Sequence, residues 1–226
     1  MATTTTNLGL SKPDVSEAAD ISVLNANFDK IDEKIPAAGA APAGYGLGGT
    51  YAKMVSDCND ATANGFYSLD GAGTANAPGW NLNYGTMLVI NRSNGSQITQ
   101  IVTYANVSAV RSYVNGAWTE WEYENPPMQL GVEYRTTERW DGAPVYMKMV
   151  DCGELPNAGQ KVVEFATETT AAAINLYGRA VKNGELITIP YAGNGIIVSG
   201  YKNRVVIGTT ADYSGWYGYV VVKYTK

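Results

Sequence analysis

From residue 57 onward, short alternating or apolar runs are separated by dipeptides that tolerate a positive φ. Asn94-Gly95, Asn115-Gly116, Asp141-Gly142, Asn183-Gly184 and Asn194-Gly195 each stand between two such runs. Asn-Gly and Asp-Gly suit the tight turn whose twist matches paired antiparallel strands, so this spacing predicts hairpins. Strands are predicted at 85–90, 98–104, 110–114 and 118–123. Ile98, Gln100 and Val102 oppose Thr99, Ile101 and Thr103 across the pleat. Trp118 and Trp121 fall on opposite faces of such a strand, which predicts one in a core and the other at a surface. The result is a small antiparallel β-module with aromatic edges.

The blocks NDATANGFYS, NAPG, GTMLVINRS, QITQIV and VRSYVNGAWTEWE occur in this order between Asn59 and Glu122. In that order they resemble the pyocin-knob module of phage and pyocin tail fibres. The stretch GWNLNY, 79–84, departs from the pattern and predicts a local loop of its own. The resemblance implies a β-rich, noncatalytic knob within a fibre. A second block, YRTTERWDGAPVYMKMVDCGELPN at 134–157, resembles a connector found in phage tail fibres ahead of a terminal β-domain. Cys152 stands where an aromatic residue is expected there. Asp141-Gly142 predicts a hairpin between 134–140 and 145–150.

The beginning of the chain follows a different period. Ile21, Leu24, Phe28, Ile31 and Ile35 recur in steps of three and four, an a/d seam with Asp29, Lys30, Glu33 and Lys34 outside it. Pro13 marks a helix start, Ser16 and Glu17 give its first turn polarity, and Pro36 closes it. Two heptads are too short for a coiled coil alone in water. The seam therefore predicts either a helix docked on its own domain or a short oligomeric bundle, and the bundle is preferred. LGLSKPDV to NANFDKID resembles the virion-facing N-terminal part of phage tail-fibre chains. That resemblance implies a homotrimer whose N-terminus meets other tail or baseplate proteins. Residues 37–50 are a Pro/Ala/Gly linker. Its glycines at 44–49 lack the Gly-Lys-Ser/Thr ending and the flanking strand and helix of a phosphate loop.

After Pro126-Pro127, residues 128–160 form the connector, and 161–226 alternate six apolar runs with turn signals, predicting a C-terminal β-sandwich. The domain reading is thus 1–36 attachment, 37–50 linker, 51–127 knob, 128–160 connector and 161–226 tip. The fold class is mainly β with one short coiled-coil-type helix.

Composition removes several functions. The chain has no histidine, so imidazole bases, Ser-His-Asp triads and HExxH zinc sites are absent. Its net charge of −5 and lack of a Lys/Arg cluster argue against nucleic acid. Cys58 and Cys152 predict buried, reduced thiols. There is no apolar window long enough to span a bilayer, and residues 1–12 are no signal peptide, so synthesis in the host cytoplasm is expected. No cofactor or metal is predicted: Asp57, Asn59 and Asp60 lack the Gly and closing Glu of a calcium loop and read as a turn or cap.

Two kinds of site remain. Glu120, Glu122 and Glu124 would share one strand face about 7 Å apart, a spacing suited to an inverting glycosidase pair, or to a solvated strand edge. Asp151 with Glu154 is a further pair; the solvated edge is the preferred reading. Tyr191, Tyr201, Tyr213, Trp216, Tyr217 and Tyr219 present flat apolar faces with polar handles, which suit stacking on sugar rings. Glycines break the run 213–219, so it is read as a contact loop. With the tail-fibre resemblance, the expected function is multivalent attachment to a bacterial surface polysaccharide. The alternatives are a glycan depolymerase and a structural connector.

Overall fold

The computed structural model describes residues 3–6, 9–14, 16, 20–34, 51–92, 95–166, 172–191, 193 and 195–226. Ile35, the linker at 37–50, and Asn94 and Asn194 of two predicted turns lie outside the described residues.

Strands β1 (Thr3–Thr4) and β2 (Ser11–Lys12) pair antiparallel ahead of the helix α1 (Ile21–Lys34). The helix starts later than the sequence predicts, because two aspartates each close a separate turn. Asp14 accepts from the Ser16 N–H at 3.1 Å, whereas Asp20 accepts from the Ser22 N–H at 2.8 Å and caps the apolar period. Asn27 exchanges two bonds with the Ser11 backbone, at 2.8 and 2.9 Å, and Lys30 Nζ donates to the Gly9 carbonyl at 3.0 Å. The helix thus meets the hairpin through polar groups. Its seam stays open, with Ile21 71%, Leu24 48% and Phe28 57% exposed, while Ile31 is half-buried.

The first part of the main sheet comprises β3 (Lys53–Val55), β4 (Gly65–Leu69), β5 (Thr86–Arg92), β6 (Gln97–Tyr104) and β7 (Val107–Val114). β3 runs parallel to β4, and the rest form an antiparallel meander. Alternation along each strand divides the faces: Tyr67, Met87, Val89, Ile98, Val102 and Ala109 point into one core. The 79–84 stretch folds back over that core, with Trp80 and Asn81 at φ 53° and 57° and Leu82 fully buried. On the opposite face Phe66, Leu88, Ile101 and Val110 align in register across four strands. Phe66 is 42% exposed in this row, while Leu88, Ile101 and Val110 are half-buried.

The strand predicted at 118–123 is interrupted, giving β8 (Ala117–Trp118) and β9 (Glu122–Tyr123). The break removes the strict alternation, so Trp118 and Trp121 do not part to opposite faces. Both cover the guanidinium of Arg111, at 4.3 and 4.5 Å from ring centroid to Cζ.

β9 pairs parallel with β10 (Glu133–Trp140) at Tyr123 and Thr136, which carries the sheet onward. β10 turns through Asp141 and Gly142, both at positive φ, into β11 (Ala143–Glu154). Six further strands follow: β12 (Gln160–Glu164), β13 (Ala172–Lys182), β14 (Glu185–Ile189), β15 (Ile196–Tyr201), β16 (Arg204–Thr209) and β17 (Tyr217–Thr225). β17 lies between β11 and β13, and β14 edges this sheet. β11 is therefore built into the same sheet as β17. A separate sheet of order β12-β16-β15 packs on it, joined by Val150, Cys152, Phe165, Ile189, Ile207 and Tyr224 in one core.

Candidate ligand-binding faces

The six aromatic residues singled out in the sequence separate into inward and outward sets. Tyr213 is only 9% exposed and meets Trp216 edge-on, 6.4 Å between centroids, against the terminal core. The run 213–219 is therefore not one contact loop. A short turn, closed by Trp216 N–H to the Tyr213 carbonyl at 3.0 Å, hands over to β17 at Tyr217. The glycines interrupting that run have packing roles: a Cβ on Gly218 would stand 2.8 Å from Leu155 Cδ2. Tyr217 and Tyr219 point outward from β17. Tyr191 sits at the rim, exchanging backbone bonds with Ile196 at 2.9 and 3.2 Å, and Tyr201 ends β15. Tyr191, Tyr201 and Tyr217 are all exposed.

Open hollows lie beside these tyrosines among the described residues. One, of about 470 Å³, lies on the outer face of β13 and β17, where Tyr217 opposes Val181 and Tyr219 opposes Arg179. Several of the polar groups around it are bound to their own chain. Lys182 Nζ donates to the Ser214 carbonyl at 2.8 Å, Glu154 Oε1 accepts from Gly215 N–H at 2.5 Å, and Asp151 Oδ1 accepts from Gly153 N–H at 2.8 Å. The second, of about 320 Å³, lies on the outer face of the three-stranded sheet and includes Tyr201 and Arg204. Sequence reasoning missed Arg179, Arg204 and Gln160, which alternation alone does not distinguish from any solvated strand residue.

The carboxylates do not form the predicted array. Glu120 precedes β9 and Glu124 follows it, so the three do not share a strand face. Arg135 bridges Glu120 and Glu122, each at 2.9 Å, and Arg139 Nη2 reaches both oxygens of Glu122 at 2.8 Å. Glu124 accepts from Ser108 Oγ at 2.6 Å. Asp57 caps a single turn, accepting from Asn59 N–H at 2.8 Å and Asn76 Nδ2 at 2.9 Å; these bonds lower its pKa. No cluster of His, Cys, Asp and Glu suited to a metal occurs among the described residues. Cys58 and Cys152 are free and buried in separate cores, and burial pushes each thiol up to about 11. No helix among the described residues is long and apolar enough to cross a membrane.

No family model matches the chain, and no curated protein matches it. Among solved structures it is similar to the P. aeruginosa R1 pyocin fibre comprising C-terminal residues 323–701, at 14% identity, covering 76% of this chain and 67% of that one, with a TM-score of 0.28. It is also similar to an N-truncated R2-type pyocin tail fibre, at 10% identity, covering 79% and 99%, with the same TM-score of 0.28. At that score the overlap is too loose to stand for a shared fold.

Proposed function

We propose that this chain is a receptor-binding, tail-fibre-like protein. More particularly, it is a homotrimer on the tail of a phage or phage-derived particle, made in the host cytoplasm and attaching by noncatalytic contact to a bacterial surface glycan. The carrying observation is that the chain holds two kinds of exposed or partly exposed face. Apolar ones, the α1 seam and the Phe66–Leu88–Ile101–Val110 row, suit contact between copies. Tyrosine-bearing ones on the terminal sheets suit sugar. The order of sequence blocks resembling the pyocin knob and the fibre connector supports the same reading. Several weak sites on one trimer raise avidity without a tight single site. The N-terminal segment would meet other tail proteins, and the terminal two-sheet unit would be the receptor-binding sandwich.

Noncatalytic attachment is favoured because Glu120 and Glu122 are engaged by arginines, Arg135 with both and Arg139 with Glu122. Binding of labelled protein to a panel of bacterial strains, with Tyr201→Ala and Tyr217→Ala compared with wild type, tests the reading. Adsorption lost in either variant at unchanged native mass supports it. Adsorption retained in both moves the receptor contact elsewhere, and adsorption to no strain leaves the structural-connector alternative.

A further inference from the structure

Gly208 lies in the middle strand of the three-stranded sheet, paired with Gln160 on β12 and Ile197 on β15. A glycine inside a strand weakens it and often marks a bulge, a bend, or a place where a ligand or another backbone comes close. Three other strand-interior glycines are explained by their own neighbours. A Cβ on Gly178 would meet the Tyr219 carbonyl at 2.0 Å, one on Gly200 the Ala173 Cβ at 2.6 Å, and one on Gly218 Leu155 at 2.8 Å. Gly208 has no such reason. Its φ lies outside the left-handed region, and its Cβ would make only an ordinary 3.8 Å contact with Gln160 Cγ. What the missing side chain leaves is the floor of the 320 Å³ hollow.

The lining of that hollow is mixed in the way a sugar ring is mixed. Val206 and Ile197 give it apolar surface, while the Gln160 amide, Ser199 hydroxyl, Tyr201 phenol and Arg204 guanidinium surround them. None of these four polar side chains is engaged with another described residue, whereas in the lining of the β13–β17 hollow Lys182 is bound to the Ser214 carbonyl. A pyranose has apolar C–H faces and a rim of hydroxyls, so it meets both requirements at once. We propose that the Gly208 hollow is a pyranose subsite, with Tyr201 as the stacking platform and Gln160, Ser199 and Arg204 as hydroxyl partners. This assignment rests on the glycan-attachment reading and places its primary contact on this sheet rather than on Tyr217 and Tyr219.

Gly208→Val fills the floor without demanding a new backbone conformation and adds a residue that favours strands. Saturation-transfer NMR of the full chain with methyl glycosides of glucose, galactose, mannose and N-acetylglucosamine, at millimolar concentration, reads the site directly. Transfer to at least one glycoside is expected, reduced tenfold or more in Gly208→Val and retained in Tyr217→Ala, with both variants melting no earlier than about the wild type. Transfer unchanged in Gly208→Val but lost in Tyr217→Ala would overturn the subsite and leave glycan attachment standing. Absence of transfer from every glycoside would also overturn it, and cell adsorption would then judge the wider reading separately. A fall in native mass in Gly208→Val would overturn it in favour of contact between copies.

Discussion

The guanidinium carbon of Arg111 lies 4.3 Å from the ring centroid of Trp118. Trp121 covers it at 4.5 Å, while Nε donates to Gln100 Oε1 at 2.9 Å and Nη2 to Asn59 Oδ1 at 2.8 Å. Gln100 in turn donates to the Cys58 and Ala61 carbonyls, at 2.6 and 2.9 Å. One cation thus joins the β6–β7 part of the sheet, the loop that closes its core and both indoles. Arg111→Ala would remove the cation–π contacts and leave two oxygens without donors. A loss of about 3 kcal/mol is expected by urea unfolding, with Arg111→Lys intermediate because it keeps charge but not the fork. A loss below about 1 kcal/mol would show that the network is not what holds the loop.

Alkaline stability should follow the buried thiols. Cys58 and Cys152 are raised from 9.0 to about 11, so the folded state retains protons that the unfolded state loses. Their contribution is fully present below pH 9 and declines between about pH 9 and 11. Tyr123, pushed up to about 12 by burial, extends the same trend. Unfolding midpoints measured from pH 8 to 11 should fall, and Cys58→Ala should flatten the slope. At the acid end the depressed carboxylates of Asp57 and Asp212 work oppositely. Their contribution is present above the ordinary carboxylate pKa and is lost as pH falls toward their folded values.

Glu122→Gln separates a structural role from a catalytic one. Glu122, 12% exposed at its side chain, pairs with Arg135 and Arg139. Neutralising it should cost about 1–2 kcal/mol and reduce the salt dependence of unfolding. Incubation with purified surface polysaccharide should release no reducing ends from either protein. Release by wild type that disappears in the variant would establish the depolymerase instead.

Leu24→Glu with Phe28→Glu places charges on the open α1 seam without disturbing Asn27 or Lys30, which face the hairpin. Light scattering should give a mass near three chains for wild type and a shift toward one chain for the variant. A single-chain mass for wild type would remove the avidity argument altogether.

Gly178→Ala probes the terminal sheet, where the new Cβ would sit 2.0 Å from the Tyr219 carbonyl. Relief requires β13 and β17 to separate, so a loss of about 3 kcal/mol or failure to accumulate is expected. An unchanged melting temperature would contradict the packing of these strands.

By itself the sequence determined the mainly β character and the position of most strands, because these depend on local chemistry. Asp141-Gly142 and Asn183-Gly184 adopt positive φ as their residue types allow, and the runs around them pair. Alternation also decided which residues of 98–102 enter the core. Tertiary structure decided what alternation cannot carry. Whether Trp118 and Trp121 diverge or converge depended on the break between β8 and β9 and on Arg111, which comes from a neighbouring strand. Tyr213 and Tyr217 look alike along the chain, yet one is buried and the other open, because only the turn between them sets which way each points. Gly208 stands in the run RVVIGTT like any strand interruption. Its meaning depends on Gln160 and Ile197 lying beside it, and that adjacency belongs to the paired sheet rather than to the order of residues.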